Sequence, residues 1–157
     1  MPNVALQIAS HNRNLIRESK RLDLPTPKKC DCKKADSCPL NGHCKQSAVI
    51  YKADINPEVD DKKSYIGVSE GPIKERISDH RTSCRYDRYR NKTKLSAFVW
   101  EKKDIDQKCD IEWSVTRKST SYRAGSKRCN LCLWEKFHIM KERNELVNER
   151  NELVTKC

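Results

Sequence analysis

From Ala48 to Ile55 every second residue is apolar: Val49, Tyr51, Ala53 and Ile55 fall on one side, Lys52 and Asp54 on the other. Successive side chains of an extended chain point to opposite faces, so this alternation specifies a half-buried strand. Asn56, Pro57, Asp60 and Asp61 supply turn chemistry. A second short strand over residues 64–68 puts Tyr65 and Gly67 on one face and Ile66 and Val68 on the other, which reads as a hairpin. The period then lengthens. Gly71 and Pro72 open a helix, with proline in its first turn and Ile73 and Ile77 on its stripe. A further helix covers residues 95–102, with Leu95, Phe98 and Val99 inward, and Ile111, Trp113 and Val115 alternate as a third strand. Residues 131–142 form a strong last helix. This order predicts an α/β (α+β-like) domain, a small three-stranded sheet flanked by helices.

Upstream, residues 30–46 have no hydrophobic period at all. Cys30, Cys32, Cys38 and Cys44 make a Cys-x-Cys-x5-Cys-x5-Cys cluster in a segment almost without aliphatic residues. Four thiolates close a tetrahedral zinc site, and metal binding can fold a loop that has no core of its own. His43 is an alternative ligand to one of them, and reduced surface thiols are the competing reading. Cys129 and Cys132 form a second close pair that could complete a zinc site or stand as two thiols at a helix start; Cys84, Cys109 and Cys157 read as ordinary thiols. Nine cysteines, with no secretory block in residues 1–13 and no run of about 20 apolar residues, argue for an intracellular protein that uses thiolates, and against a membrane partner.

Residues 1–29 read as a short amphipathic helix or linker, with Val4, Ile8, Leu15 and Ile16 apolar, ending at Pro25 and Pro27. The main domain is expected over residues 47–157, with a helical tail in which residues 143–147 are echoed by 150–154. Hydrophobic residues make up 36% of the chain and charged ones 35%, so the core is modest and bound metal is a natural further source of stability. The net charge of +11 directs partner choice toward polyanions through phosphate contacts. Arg117, Lys118, Arg123, Lys127 and Arg128 lie in a stretch with no acidic residue and, with Lys92, are candidate DNA contacts.

Three further residues carry candidate chemistry. Arg76 and His80 are four apart and share the helical face bordered by Ile73 and Ile77. Glu135 falls between Leu131 and Ile139, so it points inward and needs a cation, either a divalent metal or an arginine.

Tyr51 in Val49-Ile50-Tyr51, Tyr65-Ile66-Gly67, then Arg76, His80 and Glu135 in this order resemble the GIY-YIG nucleases, with Val49 where glycine is usual. A closer resemblance, over nearly the whole chain, is to the C-terminal endonuclease region of Penelope-like retroelements. It is carried by Met1-Pro2-Asn3 with Ser10-His11-Asn12, by the cysteine block through Cys38-Pro39-Leu40 and Gly42-His43-Cys44, by residues 126–132, and by Asn148-Glu149-Arg150.

The resemblance implies the GIY-YIG fold behind a zinc module, with DNA as substrate. It also implies a reverse transcriptase domain in a larger parent polypeptide and a nuclear site of action. Glu135 would hold magnesium or manganese, Tyr51 would take a proton from the attacking water or orient it, and Tyr65 and His80 would share its hydrogen bonds. Arg76 would offset charge on the phosphate, Gly67 would be the motif glycine, and Asn148 would help position the site. The competing function is a zinc-containing nucleic-acid-binding or targeting module without catalysis.

Overall fold

Three strands and three helices follow one another in the expected order. The structure, a computed structural model, describes residues 30–121, 123–125, 129–142 and 144–148. The first expected segment, residues 1–29, and the repeat at 150–154 lie outside them, as do Lys127 and Arg128.

The strands β1 (Val49–Pro57), β2 (Lys63–Ser69) and β3 (Cys109–Lys118) form one antiparallel sheet in the order β2-β1-β3. The central strand runs past Ile55 through Asn56 to Pro57, which pairs with Cys109. Proline is tolerated there because it is the last residue of the strand, where its missing N–H costs little.

The helices are α1 (Ile73–Arg85), α2 (Lys94–Lys103) and α3 (Asn130–Lys141). Pro72 precedes the first turn of α1 instead of sitting in it: its ψ of 128° is extended, so the helix starts at Ile73. At α2 the Thr93 side chain accepts from the Ser96 N–H while the Ser96 hydroxyl accepts from the Thr93 N–H, which satisfies two N–H groups at the start of that helix.

Each face of the sheet packs against different helices. Tyr51, Ala53, Ile55 and Tyr65 meet Ile73 and Ile77 of α1 and Leu95 and Val99 of α2. Ile50 and Ile66 point the other way, onto Leu131 and Ile139 of α3. The alternation visible in the sequence therefore sorts two cores. Cys38, Leu40 and Cys44 belong to the first of them, so the cysteine module packs onto the main domain.

A bulge interrupts the β1-β3 ladder: Ile50 pairs with Arg117 but Tyr51 with Val115. The extra residue, Thr116, turns Arg117 away from the face of Trp113 and Val115, and its guanidinium lies 3.4 Å above the Trp134 ring of α3.

The outer edge of β2 is covered by the segment after α3. Ser64 N–H donates to Glu145 (2.8 Å), Val147 N–H donates to Ser64 (2.9 Å), and the Asn148 carboxamide continues this parallel pairing. Among the described residues no helix is long and apolar enough to cross a membrane.

Candidate functional site

Burial alternates along β1, and Tyr51 is the largest side chain that it buries completely. Its phenol points toward α1, where the fourfold spacing of Arg76 and His80 brings both side chains to the same oxygen. Tyr51 Oη and His80 Nε2 are 2.6 Å apart, and Arg76 Nε donates to Tyr51 Oη at 3.4 Å. His80 is 1% exposed, so its imidazole is an interior group. Trp113 of β3 flanks the imidazole with ring centroids 5.5 Å apart, and Tyr65 does so at 5.6 Å.

Desolvation dominates the electrostatics. Burial pushes the Tyr51 phenol up to about 12 against the opposing pull of Arg76, with Glu135 adding to the upward shift and a hydrogen bond from Tyr65 opposing it. Burial, helped by the Arg76 and Lys92 charges, holds the His80 imidazole down at about 4. At neutral pH a protonated phenol therefore faces a neutral imidazole. Among the described residues His80 Nδ1 is buried without a hydrogen-bond partner.

Glu135 lies half-buried on α3, between the buried Leu131 and Ile139, as its helical position required. Although α3 covers the other face of the sheet, the Glu135 charge is felt at the Tyr51 oxygen. Tyr51, Tyr65, Arg76 and His80 thus meet at one place, and Glu135 acts on the Tyr51 oxygen through its charge.

Gly67 contributes through its missing side chain. A Cβ there would sit 2.4 Å from Tyr51 Oη and 2.6 Å from Tyr51 Cζ. The place that a side chain would take is filled by the phenol end of the Tyr51 ring. Asn148 acts on the same strand from its other edge. Its Oδ1 accepts from Ile66 N–H at 2.8 Å and its Nδ2 donates to the Ile66 carbonyl at 2.9 Å, so it fixes the residue between Tyr65 and Gly67.

The cysteine cluster is a second centre. The sulfurs of Cys30, Cys32, Cys38 and Cys44 all lie within 4.8 Å of one another, with Cys44 3.4 Å from Cys30 and 3.8 Å from Cys32. Zinc–sulfur bonds of about 2.3 Å in a tetrahedron put sulfurs roughly 3.8 Å apart, so these four residues could hold a metal ion such as zinc. The turn at Asn41 and Gly42, with φ of 49° and 88°, wraps the chain around Cys38. Burial raises the Cys38 thiol, but the N–H groups of Leu40 and Gly42 and the neighbouring Cys30 and Cys32 thiols outweigh it and bring Cys38 to about 6.

His43 is not a member of this group; its Nδ1 is 2.9 Å from Gln46 Nε2. Cys129 and Cys132 approach to 3.0 Å at the start of α3, where Cys129 Sγ accepts from the Cys132 N–H, and they stand apart from the four.

The candidate DNA contacts divide. Lys92, Lys118 and Arg123 are exposed, whereas Arg117 is spent on Trp134. Sequence reading overlooked the denser basic surface between α1 and α2, residues 81–94, where arginines alternate with tyrosines. The alternation itself was the available signal.

Compared with protein-family models, with curated proteins and with solved structures, the chain finds no match.

Proposed function

We propose that the chain is a divalent-metal-dependent DNA endonuclease of the GIY-YIG type, similar to the retroelement enzymes that nick target DNA to prime reverse transcription. The observation that carries this reading is the meeting of the Tyr51 phenol with His80 and Arg76, within reach of the Glu135 charge. A packing tyrosine needs none of these three polar partners.

In this reading the Tyr51 O–H donates to His80 Nε2, and Arg76 turns from the Tyr51 oxygen to the incoming phosphate, which frees a phenol lone pair to accept from the attacking water. The water's proton moves to the Tyr51 oxygen as the phenol proton moves to His80, so Tyr51 ends neutral and the positive charge rests on His80. Arg76 stabilises the negative charge that builds on the phosphoryl oxygens. An incoming phosphate also offsets the Arg76 charge that depresses His80, so substrate raises the proton affinity of its own relay. Tyr65, which is 7% exposed, holds the Tyr51 oxygen from the side of β2.

Glu135 would hold magnesium or manganese; one carboxylate suits magnesium, which is commonly bound through one or two carboxylates, waters and substrate phosphates. Such an ion would polarise the scissile phosphate and stabilise the leaving oxygen. The cysteine cluster would hold a structural zinc.

A second reading, a zinc-containing DNA-binding module without catalysis, draws on the complete burial of Tyr51. Relaxation of supercoiled plasmid by wild type and by Glu135→Ala, each with magnesium or with no divalent ion added, separates the two. The nuclease reading expects nicked circles from wild type with magnesium alone. Intact plasmid in every lane, with DNA still bound, would favour the module.

A further inference from the structure

We propose that the corner between α1 and α2 is a docking site for an unpaired DNA strand that leads toward His80; the proposal rests on the nuclease reading and specifies its substrate. The corner is short and stiff. Tyr86 ends α1, a 3-10 turn spans Asp87–Tyr89, and Thr93 caps α2.

Two tyrosines stand outward here, Tyr86 48% and Tyr89 36% exposed, although each could bury its ring in a chain short of apolar residues. The Arg88 guanidinium lies 5.7 Å from the Tyr86 ring centroid and 4.7 Å from that of Tyr89, and Lys92 Nζ lies 5.9 Å from Tyr89. Exposed aromatic faces edged by cations are what a single strand uses: bases stack on the rings and phosphates meet the charges. A closed duplex offers no base faces, so the tyrosines would contribute nothing to it.

The acidic groups of the corner are occupied. Asp87 and Asp104 both pair with Arg90, which also lies over Trp100 and so serves to hold the turn. Among the described residues Arg81, Arg85 and Arg88 form no ion pair.

Beside the corner opens a cavity of about 460 Å³ whose rim carries Arg81, Arg85 and Lys103 and whose inner wall is His80 and Trp113. Arg81 and Arg85 are four apart on α1, so two phosphates of one strand can follow the helix toward the Tyr51–His80 pair. From the tyrosine side Lys92 is close enough to His80 for its charge to be felt at the imidazole. The cavity therefore joins the Arg81 and Arg85 side of the corner to the candidate catalytic group.

The test is fluorescence anisotropy of the full chain, in buffer without magnesium, on three labelled DNAs: a single strand, a duplex with a single-stranded flap, and a blunt duplex. The expected result is tighter binding of the first two. The Tyr86→Ala/Tyr89→Ala double variant should lose roughly tenfold or more on them and little on the blunt duplex, while Tyr86→Phe/Tyr89→Phe keeps the preference. Arg81→Ala/Arg85→Ala should weaken all three and reduce the salt slope by about 1 to 2.

Circular dichroism and the urea midpoint confirm that each variant is folded. Equal wild-type affinity for flap and blunt duplex, or an alanine double variant that binds single strands like wild type, would overturn the proposal. A matching RNA held more tightly than the DNA would overturn the choice of DNA. Nicking is scored separately with magnesium: a lost strand preference with nicking intact removes this site alone. Preference without nicking removes the enzyme and leaves the strand site.

Discussion

The carbonyl of Cys44 accepts a hydrogen bond from the backbone N–H of Lys74 at 2.8 Å, and the carbonyl of Gln46 accepts from Ile73 N–H at 2.9 Å. Pro72 provides no side-chain cap, so the cysteine module itself satisfies the open N–H groups at the start of α1. Asp31, between two of the clustered cysteines, adds an ion pair to Lys74 at 2.6 Å. The helix that brings Arg76 and His80 to Tyr51 is thus seated on the backbone of the cysteine module.

Removing a metal held by the four cysteines should therefore loosen α1 as well as the module. Chelation, or Cys38→Ser, is expected to lower the thermal midpoint by several degrees and to speed hydrogen exchange at the Ile73 and Lys74 amides. Native-state exchange measured by NMR checks this. Unchanged exchange at those two amides in metal-free protein would separate the module from the helix.

Gly67→Ala should cost about 1–3 kcal/mol, the usual range for overpacking a filled interior. The added methyl meets the Tyr51 phenol at 2.4 Å, and the ring cannot retreat without lengthening its bond to His80. Urea unfolding gives the stability, and the nicking rate should fall with it; the same substitution at exposed Gly71, where the nearest atom is 3.9 Å away, is the control.

Stability should also fall in mild acid. His80 is held near 4 when folded and titrates near 6.5 when unfolded, so below 6.5 the unfolded chain takes up a proton that the folded chain refuses. The contribution is fully present above about pH 6.5 and is lost between there and about pH 4, amounting to about 3 kcal/mol. Urea midpoints measured from pH 7.5 to 4 should show this slope, and His80→Gln should flatten it. An unchanged slope in that variant would assign the effect elsewhere.

Asn148→Ala should remove both bonds to Ile66, at about 1–2 kcal/mol, and Asn148→Asp should cost more because it sets a carboxylate oxygen against the Ile66 carbonyl. Equal midpoints for the two variants would show that the carboxamide proton does not matter.

Much of this frame was legible because it rests on local periodicity. Alternation at Val49, Tyr51, Ala53 and Ile55 located β1, the stripe of Ile73 and Ile77 located α1, and the flanking of Glu135 by Leu131 and Ile139 turned it inward. Four cysteines in a segment without a core marked themselves. What periodicity does not carry is how the elements pair. The bulge at Thr116 reverses the facing of Arg117 and has no signature in residue type. The burial of His80 depends on Trp113, 33 residues away, and the space beside Gly67 belongs to a ring on the neighbouring strand. A stretch without acidic residues marks 117–128 as basic, but not the corner at 81–94, where Asp87 and Asp104 are set against Arg90 and Arg88 lies over two exposed tyrosines.

The most direct test of the proposed nuclease is single-turnover cleavage of an end-labelled DNA in magnesium by wild type, Tyr51→Phe and Glu135→Ala, all in the zinc-loaded form. The account predicts a wild-type product that depends on magnesium, at least a hundredfold loss of rate in each variant, and DNA affinity within a few-fold of wild type. Cleavage by Glu135→Ala at the wild-type rate would contradict it.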